Sequence, residues 1–307
     1  VGGRSSRRPD DPRVDAWPSA RGEPPVTPEQ AYAHCEAVTR KAAANFYYGI
    51  GLLPRDKRRA TCAVYAFARR IDDIGDGDFA PEEKLALLEA ADGSLRELSK
   101  ASADPVIVAV AHANDRFSLP LDALAELIEG VRMDVRGTTY ESFDDLLGYC
   151  RRVAGTVGLL CLAIFGSRQP ERARSLADDL GVAMQLTNIL RDLREDAGNG
   201  RVYMPREDLV RYRLSTDGRF EGEEGQLDAF VRFQVRRASE WFERGLELVP
   251  LLDRRSGACV LAMTNIYSRL LRRIEKDPQR TSMERVSLPI WEKLWLAARS
   301  ILKAALG

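Results

Sequence analysis

From Thr27 to the end of the chain, one helical pattern follows another, and no run of alternating β-branched residues interrupts the series. Apolar residues recur at helical spacing, and the breaks between segments coincide with glycine or proline. The pattern predicts helices over 28–45, 55–76, 82–99, 105–116, 120–134, 143–165, 170–197, 223–250, 254–276 and 286–305. We therefore expect an all-α bundle.

The first 26 residues differ in composition from the rest of the chain. They are rich in Arg, Pro, Gly and Asp and contain few large apolar side chains, which predicts a disordered tail over residues 1–26. Thr27-Pro28-Glu29-Gln30 then offers an N-cap hydroxyl, a proline at the first helical position and a glutamine for a capping box. No linker or short-period repeat follows. A single domain over residues 27–307 is expected.

The charge balance and the cysteine content argue against several function classes. The chain has 46 basic and 46 acidic residues and a pI near 6.9, so no positive field recruits nucleic acid, and no nucleic-acid partner is expected. The five cysteines are scattered without a Cys-x-x-Cys pair, which argues against a disulfide framework and a zinc site and favours a reducing cytoplasm. His34 and His112 have no neighbouring candidate ligand, so histidine metal sites and Ser-His-Asp chemistry have little support.

The first of two aspartate-rich segments is Asp72-Asp73-Ile74-Gly75-Asp76, at the end of a predicted helix. Tyr65, Arg69, Asp72 and Asp76 follow one another at spacings of four, three and four residues, which places them along one stripe of that helix. Asp73 lies to one side. Such a stripe can hold a metal ion, or it can be an ordinary solvated helix face.

The second segment, Asp192-Leu193-Arg194-Glu195-Asp196, comes about 120 residues later. Gln185, Asn188, Asp192 and Asp196 advance by three, four and four residues and form a polar line in an otherwise apolar helix. Buried amides and carboxylates without partners cost about 1–3 kcal/mol each, so this line is expected to face a polar ligand. A structural hydrogen-bond network between helices is the alternative.

Together, the two carboxylate pairs predict a site for magnesium and a diphosphate. Carboxylate oxygens suit Mg²⁺, which keeps several waters and is commonly completed by substrate phosphates. Arg69 and Arg191 stand beside the two pairs and can fork onto phosphate oxygens. Either arginine can instead neutralise the neighbouring carboxylates.

Five segments carry a resemblance to a known family. They are Asn45-Phe46-Tyr47-Tyr48-Gly49 through Leu53-Pro54; Tyr65 through Asp76; Tyr149-Cys150 with Val153-Ala154-Gly155-Thr156-Val157-Gly158; Gln185 through Asp192 and on to Glu195-Asp196; and Arg201-Val202-Tyr203-Met204-Pro205. In this order they are similar to the squalene and phytoene synthase family of head-to-head isoprenyl diphosphate condensing enzymes. The matching segments span nearly everything after residue 27.

The resemblance implies the all-α isoprenoid synthase fold, a single helical bundle around a central cavity with the two acidic motifs facing each other. It implies Mg²⁺, with Mn²⁺ as a substitute, bound by Asp72, Asp76, Asn188, Asp192 and Asp196. The catalytic set that it implies consists of these four aspartates with Arg69, Arg191 and Tyr65. The substrate-binding residues that it implies are Phe46, Tyr149, Val153, Gln185, Asn188, Tyr203, Tyr267, Arg285 and Lys293. Ala43 and Asn45 depart from the family, in which many members carry serine, so hydrogen bonds at that end of the site are in question.

The Asn45-to-Ile50 and Arg69-to-Gly77 segments look closest to bacterial presqualene diphosphate synthases of hopanoid biosynthesis. This resemblance implies head-to-head (1'-1) condensation of two farnesyl diphosphates to presqualene diphosphate, without a requirement for NADPH. The nearest alternatives are a phytoene synthase acting on two geranylgeranyl diphosphates and a squalene or dehydrosqualene synthase that completes the rearrangement. A class I terpene cyclase and a non-catalytic helical binding protein are more distant alternatives.

Membrane insertion is not expected from the sequence. No stretch approaches the ~20 uninterrupted apolar residues of a spanning helix, and the start of the chain lacks the apolar core of a secretory signal. We therefore expect no transmembrane segment and a cytoplasmic location. The long oily substrate leaves open a peripheral contact with the inner face of the cell membrane.

Overall fold

The computed structural model describes residues 24–43, 47–99, 101–283 and 285–289, together with 292, 295, 296, 299 and 300. Within these residues all regular secondary structure is helical, which confirms the predicted fold class. The predicted disordered tail lies outside the described residues apart from Pro24, Pro25 and Val26.

Fourteen α-helices form the bundle in the described part of the chain, and two short helical turns of other types connect them. The α-helices are α1 Pro28–Ala42, α2 Tyr47–Ile50, α3 Arg55–Asp76, α4 Pro81–Arg96, α5 Pro105–Phe117, α6 Leu121–Val135, α7 Phe143–Cys150, α8 Thr156–Phe165, α9 Pro170–Arg191, α10 Leu193–Gly198, α11 Arg206–Arg211, α12 Gln226–Gly245, α13 Arg254–Lys276 and α14 Arg280–Met283. A π-helical turn, Arg151–Gly155, joins α7 to α8, and a 3₁₀ turn, Leu246–Leu251, follows α12.

The start of α1 has the predicted capping box. The Thr27 hydroxyl accepts a hydrogen bond from the Gln30 backbone N–H at 3.3 Å, and the Thr27 backbone N–H donates to Gln30 Oε1 at 2.9 Å. These bonds satisfy two backbone donors that a helix start otherwise leaves unpaired.

Helix α3 divides its two faces between the core and the functional site. Phe67 and Ile71 are fully buried on one face, and each such side chain contributes about 1.5–3 kcal/mol by leaving water. Arg70 ties α3 to α5 through a buried fork onto Asp104, with Nη1–Oδ2 and Nη2–Oδ1 distances of 2.6 and 3.1 Å. Asp104 is also the N-cap of α5. The core face and this ion pair therefore fix the orientation of the opposite, acidic face of α3.

By length and composition alone, one helical stretch among the described residues could cross a membrane: Phe143–Phe165. It combines α7, the π-helical turn and α8, and it packs against α6 and α9. Val153, Val157 and Cys161 of this stretch line a chamber within the bundle. Its apolar composition is accounted for by that chamber wall.

Glycines allow the backbone of α9 to approach the backbone of α8 and of the π-helical turn before it closely. A Cβ at Gly158 would lie 2.3 Å from the carbonyl oxygen of Ala177, and a Cβ at Gly181 would lie 2.3 Å from that of Ala154. Because the obstructing atoms are backbone, neither position accepts a side chain without moving a helix. Gly158 and Gly181 therefore set the separation of two walls of the chamber.

The predicted helix 170–197 is wrong in one detail, because α9 ends at Arg191 and α10 begins at Leu193. Asp192 stands at the junction with φ −102° and ψ 11°. The short helices α2, α11 and α14 were not predicted. The predicted helix 286–305 lies in a region where most residues fall outside the described part.

Candidate active site

A chamber with a volume of about 390 Å³ runs through the bundle, lined by α3, the Phe143–Phe165 stretch, α9 and α13. One end is open, where the Asp76 side chain is 62% exposed, and the other end is closed by buried residues such as Thr61 and Cys259. From Asp76 to Thr61 the wall follows α3 for ~22 Å at 1.5 Å per residue. The chamber is therefore deep, narrow and open at the acidic end.

The walls below the mouth are apolar. Val64, Ala68, Val157, Leu162 and Met184 line them, and Phe165 and Met263 stand near the closed end. This lining can hold a long hydrocarbon chain and keep water from it.

The two acidic segments stand on opposite walls of the mouth. Asp72 and Asp76 lie on α3, whereas Asp192 and Asp196 lie at the α9–α10 junction and on α10. Burial raises the pKa of Asp72 to about 7, and the charge of Asp76 adds to the rise. Burial likewise raises the pKa of Asp196 to about 7, with a further contribution from Asp192. Desolvation and the neighbouring carboxylates therefore both disfavour the ionised forms of Asp72 and Asp196.

Asn188 has the one side-chain feature that most directly suits a cation. Its Nδ2 donates to Gln185 Oε1 at 3.2 Å, while its buried Oδ1 has no hydrogen-bond partner. A buried acceptor without a donor costs about 1–3 kcal/mol, and an oxygen-preferring cation such as Mg²⁺ would satisfy it. The donor set of four carboxylates and this amide oxygen fits such an ion. In the described part of the chain the acids stand on two walls, and no three His, Cys, Asp or Glu side chains converge into a closed metal cage.

Arginines neutralise part of the acidic mouth. Arg191 forks onto Asp192, with an Nε–Oδ1 distance of 2.8 Å, and Arg285 reaches the same Oδ1 with its Nε at 2.9 Å. Arg201 reaches the wall formed by α3, where it donates to Asp76 Oδ1 at 2.7 Å and to the Gly75 carbonyl oxygen at 3.1 Å. These guanidinium groups surround the place where a diphosphate would lie, and each can fork onto phosphate oxygens.

Sequence reasoning missed Asp134 and gave Arg201 no role. Asp134 lies near the end of α6, lines the mouth, and accepts hydrogen bonds from Tyr149 at 2.9 Å and Tyr203 at 2.8 Å. Burial raises its pKa to about 6, although the two tyrosine hydrogen bonds lower it. No spacing rule identifies a single aspartate on another helix, whereas Arg201 stood in a segment already recognised as characteristic.

The structure brings most of the predicted site residues together. Those that line the chamber are Tyr65, Asp72, Asp76, Tyr149, Val153, Gln185, Asn188, Arg191, Asp192, Asp196 and Tyr203. Tyr267 is buried beside the chamber and hydrogen-bonds to Arg191 and Asn188, and Arg285 lies at the rim. Arg69 lies off the chamber lining, where its Nη2 contacts Asp73 Oδ1 at 2.5 Å. Phe46 and Lys293 lie outside the described residues.

An all-helical bundle around an apolar chamber with carboxylates on both sides of its mouth defines the isoprenoid synthase class. The chain belongs to the squalene/phytoene synthase family, whose model matches residues 39–292. Enzymes of this family are prenyltransferases that condense prenyl diphosphates head to head.

Three known proteins show the extent of the similarity. The phytoene synthase of Mycobacterium tuberculosis is 50% identical over 277 residues, which cover 89% of this chain and 91% of that protein. A solved dehydrosqualene synthase with bound ligand superposes with a TM-score of 0.80 at 28% identity, covering 91% of this chain and 98% of the other. The squalene synthase HpnC from Alicyclobacillus acidocaldarius superposes with a TM-score of 0.74 at 30% identity, covering 84% and 96%.

Proposed function

We propose that this chain condenses two farnesyl diphosphates head to head to presqualene diphosphate, with release of diphosphate. The reaction takes place with Mg²⁺, or Mn²⁺, at the acidic mouth and does not require NADPH. One observation carries the proposal: carboxylate pairs stand on opposite walls at the open end of a deep apolar chamber. This arrangement suits a substrate with a highly negative head group and a long hydrocarbon tail.

The acidic mouth would hold the metal. Asp72 and Asp76 on one wall and Asn188, Asp192 and Asp196 on the other supply the oxygen ligands that Mg²⁺ prefers. The negative charge that develops on the departing diphosphate would be stabilised by a metal bound there.

The chain's own residues bind the head group and protect the hydrocarbon. Arg191, Arg201 and Arg285 stand at the mouth, where their guanidinium groups can bind phosphate oxygens and stabilise the leaving group. The apolar walls keep water from the allylic cation that remains. The double bond of the second substrate then attacks this cation and closes a cyclopropane, and the released diphosphate accepts the proton that is lost.

The choice of farnesyl diphosphate rests on the segments near the chamber. Substrate length depends on the side chains that line the cavity, whereas identity over the whole chain also counts the surface. Ile50, Asp72 and Asp76 line the chamber and belong to the segments that resemble presqualene diphosphate synthases. The structural similarity to a squalene synthase and a dehydrosqualene synthase supports the same choice.

A second candidate is condensation of two geranylgeranyl diphosphates to phytoene. The observation in its favour is the 50% identity with a protein named phytoene synthase over 89% of the chain. The two candidates use the same head-group site and differ in how much of the closed end of the chamber the tail fills.

Product analysis tests both candidates. Purified protein is incubated with Mg²⁺ and either farnesyl or geranylgeranyl diphosphate, with and without NADPH, and the dephosphorylated products are identified by mass. We expect a cyclopropyl C30 alcohol from farnesyl diphosphate and no change on adding NADPH. A C40 product from geranylgeranyl diphosphate alone would establish the second candidate. A cyclised product of unchanged carbon number, or none at all, would refute both.

A further inference from the structure

Asp134 connects two tyrosines at the chamber mouth. Its Oδ2 accepts the Tyr149 hydroxyl at 2.9 Å, and its Oδ1 accepts the Tyr203 hydroxyl at 2.8 Å. The three residues come from α6, from α7 and from the segment between α10 and α11. Each carboxylate oxygen therefore anchors one phenol, and one side chain sets the orientation of both.

The anchored rings form a packed aromatic wall. Tyr149 and Tyr203 are stacked with centroids 5.1 Å apart and planes at 26°. Tyr140 packs against both, at 5.5 and 6.2 Å, and all three rings are at most 8% exposed. Tyr149 and Tyr203 line the chamber, so any movement of their hydroxyls changes the surface that a reacting group meets.

The direction of these hydrogen bonds determines whether the phenol oxygens offer a proton or lone pairs to a group in the chamber. An ionised carboxylate only accepts, so each tyrosine uses its single proton on Asp134. The phenol oxygens, which also lie within hydrogen-bonding reach of each other, then offer their remaining lone pairs, and no proton, to any group that approaches them. Lone pairs held in a dry site stabilise a nearby carbocation, because they need no reorientation when the charge forms.

We propose that Asp134 is a positioning residue that holds Tyr149 and Tyr203 with their oxygen lone pairs and rings toward the reacting carbons, and thereby favours carbon–carbon bond formation over capture of the cation by water. The inference rests on the proposed head-to-head condensation. Asp134 acts through the two tyrosines and does not itself contact the substrate.

The test is the ratio of condensed product to prenyl alcohol. In Asp134→Asn the amide nitrogen donates instead of accepting, so one phenol must turn its proton elsewhere. We expect the ratio to fall about tenfold, the effect of losing one charge-assisted hydrogen bond, while binding of Mg²⁺ and inorganic pyrophosphate stays at the wild-type level. The double variant Tyr149→Phe/Tyr203→Phe should lower the ratio too, and adding Asp134→Asn to it should change nothing further.

Asp92→Asn is the matched control. Asp92, like Asp134, is a buried carboxylate, but its partner is Arg96 and it lies on α4 away from the chamber lining. Asp92→Asn should keep the wild-type product ratio. A tenfold fall of the ratio in this control would overturn the inference, because it would show that loss of any buried carboxylate lowers the ratio by loosening the fold.

Three further outcomes would overturn the inference. They are a wild-type ratio in Asp134→Asn, a wild-type ratio in the tyrosine double variant, and a further full loss when Asp134→Asn is added to the double variant. If Asp134→Asn does not fold, a wild-type ratio in the tyrosine double variant still overturns the inference. Absence of condensed product from the wild-type protein would instead refute the proposed function, and the inference with it.

Discussion

Arg201 and Asp76 are 125 residues apart in the chain, yet Arg201 Nη1 lies 2.7 Å from Asp76 Oδ1 across the mouth of the chamber. Arg201 follows the second acidic motif closely, and Asp76 ends the first. Their contact therefore ties the two walls of the site together at its opening. It also places a cation among carboxylates that would otherwise repel one another.

Replacing Arg201 by Gln should lower kcat/KM about 10- to 100-fold, the effect of losing one charge-assisted hydrogen bond of roughly 1.5–3 kcal/mol. The reason is that Asp76 loses its anchor and the diphosphate loses a guanidinium. Steady-state kinetics measures the change. Arg194→Gln removes the same charge from an exposed position on α10 and should have little effect. Equal losses of kcat/KM in both variants would show that the effect comes from the net charge near the mouth and not from the contacts of Arg201.

The pH dependence of the free energy of unfolding tests the raised pKa values of Asp72 and Asp196. The pKa values of Asp72 and Asp196 are raised to about 7, so the folded chain binds more protons than the unfolded chain between about pH 4 and pH 7. The stability contribution of these groups in the metal-free protein should therefore fall as the pH rises through that window. Thermal unfolding at about pH 5 and about pH 8 measures it.

The variant Asp72→Asn/Asp196→Asn isolates this effect, because it cannot titrate at these positions. Its Tm should exceed that of the wild type by more at the higher pH than at the lower. Adding Mg²⁺ with pyrophosphate near pH 8 should raise the wild-type Tm and leave the variant's Tm nearly unchanged. A Tm difference between the two proteins that does not vary with pH would contradict the raised pKa values.

Gly181→Ala should destabilise the protein by about 1–3 kcal/mol, because its Cβ would lie 2.3 Å from the Ala154 carbonyl oxygen and push α9 away from the π-helical turn that precedes α8. Gly148→Ala is the matched change in a helix where a Cβ meets nothing within 4 Å. Gly148→Ala should leave the free energy of unfolding unchanged or raise it by about 0.5–1 kcal/mol. Urea unfolding compares the two variants, and equal free energies of unfolding would refute the close approach of α9 and the π-helical turn.

Asp104→Ala should lower the free energy of unfolding by about 3–5 kcal/mol, because it removes the carboxylate onto which the buried Arg70 guanidinium forks and also removes the N-cap of α5. Thr27→Ala removes only an exposed N-cap and should cost about 1 kcal/mol. If Asp104→Ala and Thr27→Ala lower the free energy of unfolding in urea by similar amounts, the Arg70–Asp104 ion pair contributes no more than an exposed helix cap.

The helices could be predicted where apolar spacing and breakers agree. The predicted helices 55–76, 143–165 and 254–276 have the bounds that the structure shows, the second with a π-helical turn inside it. The break at Asp192 could not be predicted, because the polar spacing and the apolar neighbours continue through it without glycine or proline. The stripes on α3 and α9 reach the chamber as expected, since helical periodicity fixes which side chains share a face.

Asp134 and the contacts of Arg201 depend on how separate elements pack. Asp134 becomes notable only because Tyr149 and Tyr203, from two other elements, meet on it. The same limit applies to Arg69, whose spacing with Asp72 suggested a place in the stripe although its side chain turns to Asp73. Periodicity assigns a residue to a face, but the side-chain partner depends on tertiary contacts.

Calorimetric binding of inorganic pyrophosphate tests the central claim, that carboxylates on both walls jointly hold a metal-bound diphosphate. The wild-type protein should bind pyrophosphate only with Mg²⁺ present, and Asp72→Asn and Asp192→Asn should each weaken binding by more than about tenfold. Asp73→Asn, a neighbouring change off the chamber, should bind as the wild type does. Undiminished Mg²⁺-dependent binding in either Asp72→Asn or Asp192→Asn would contradict the claim.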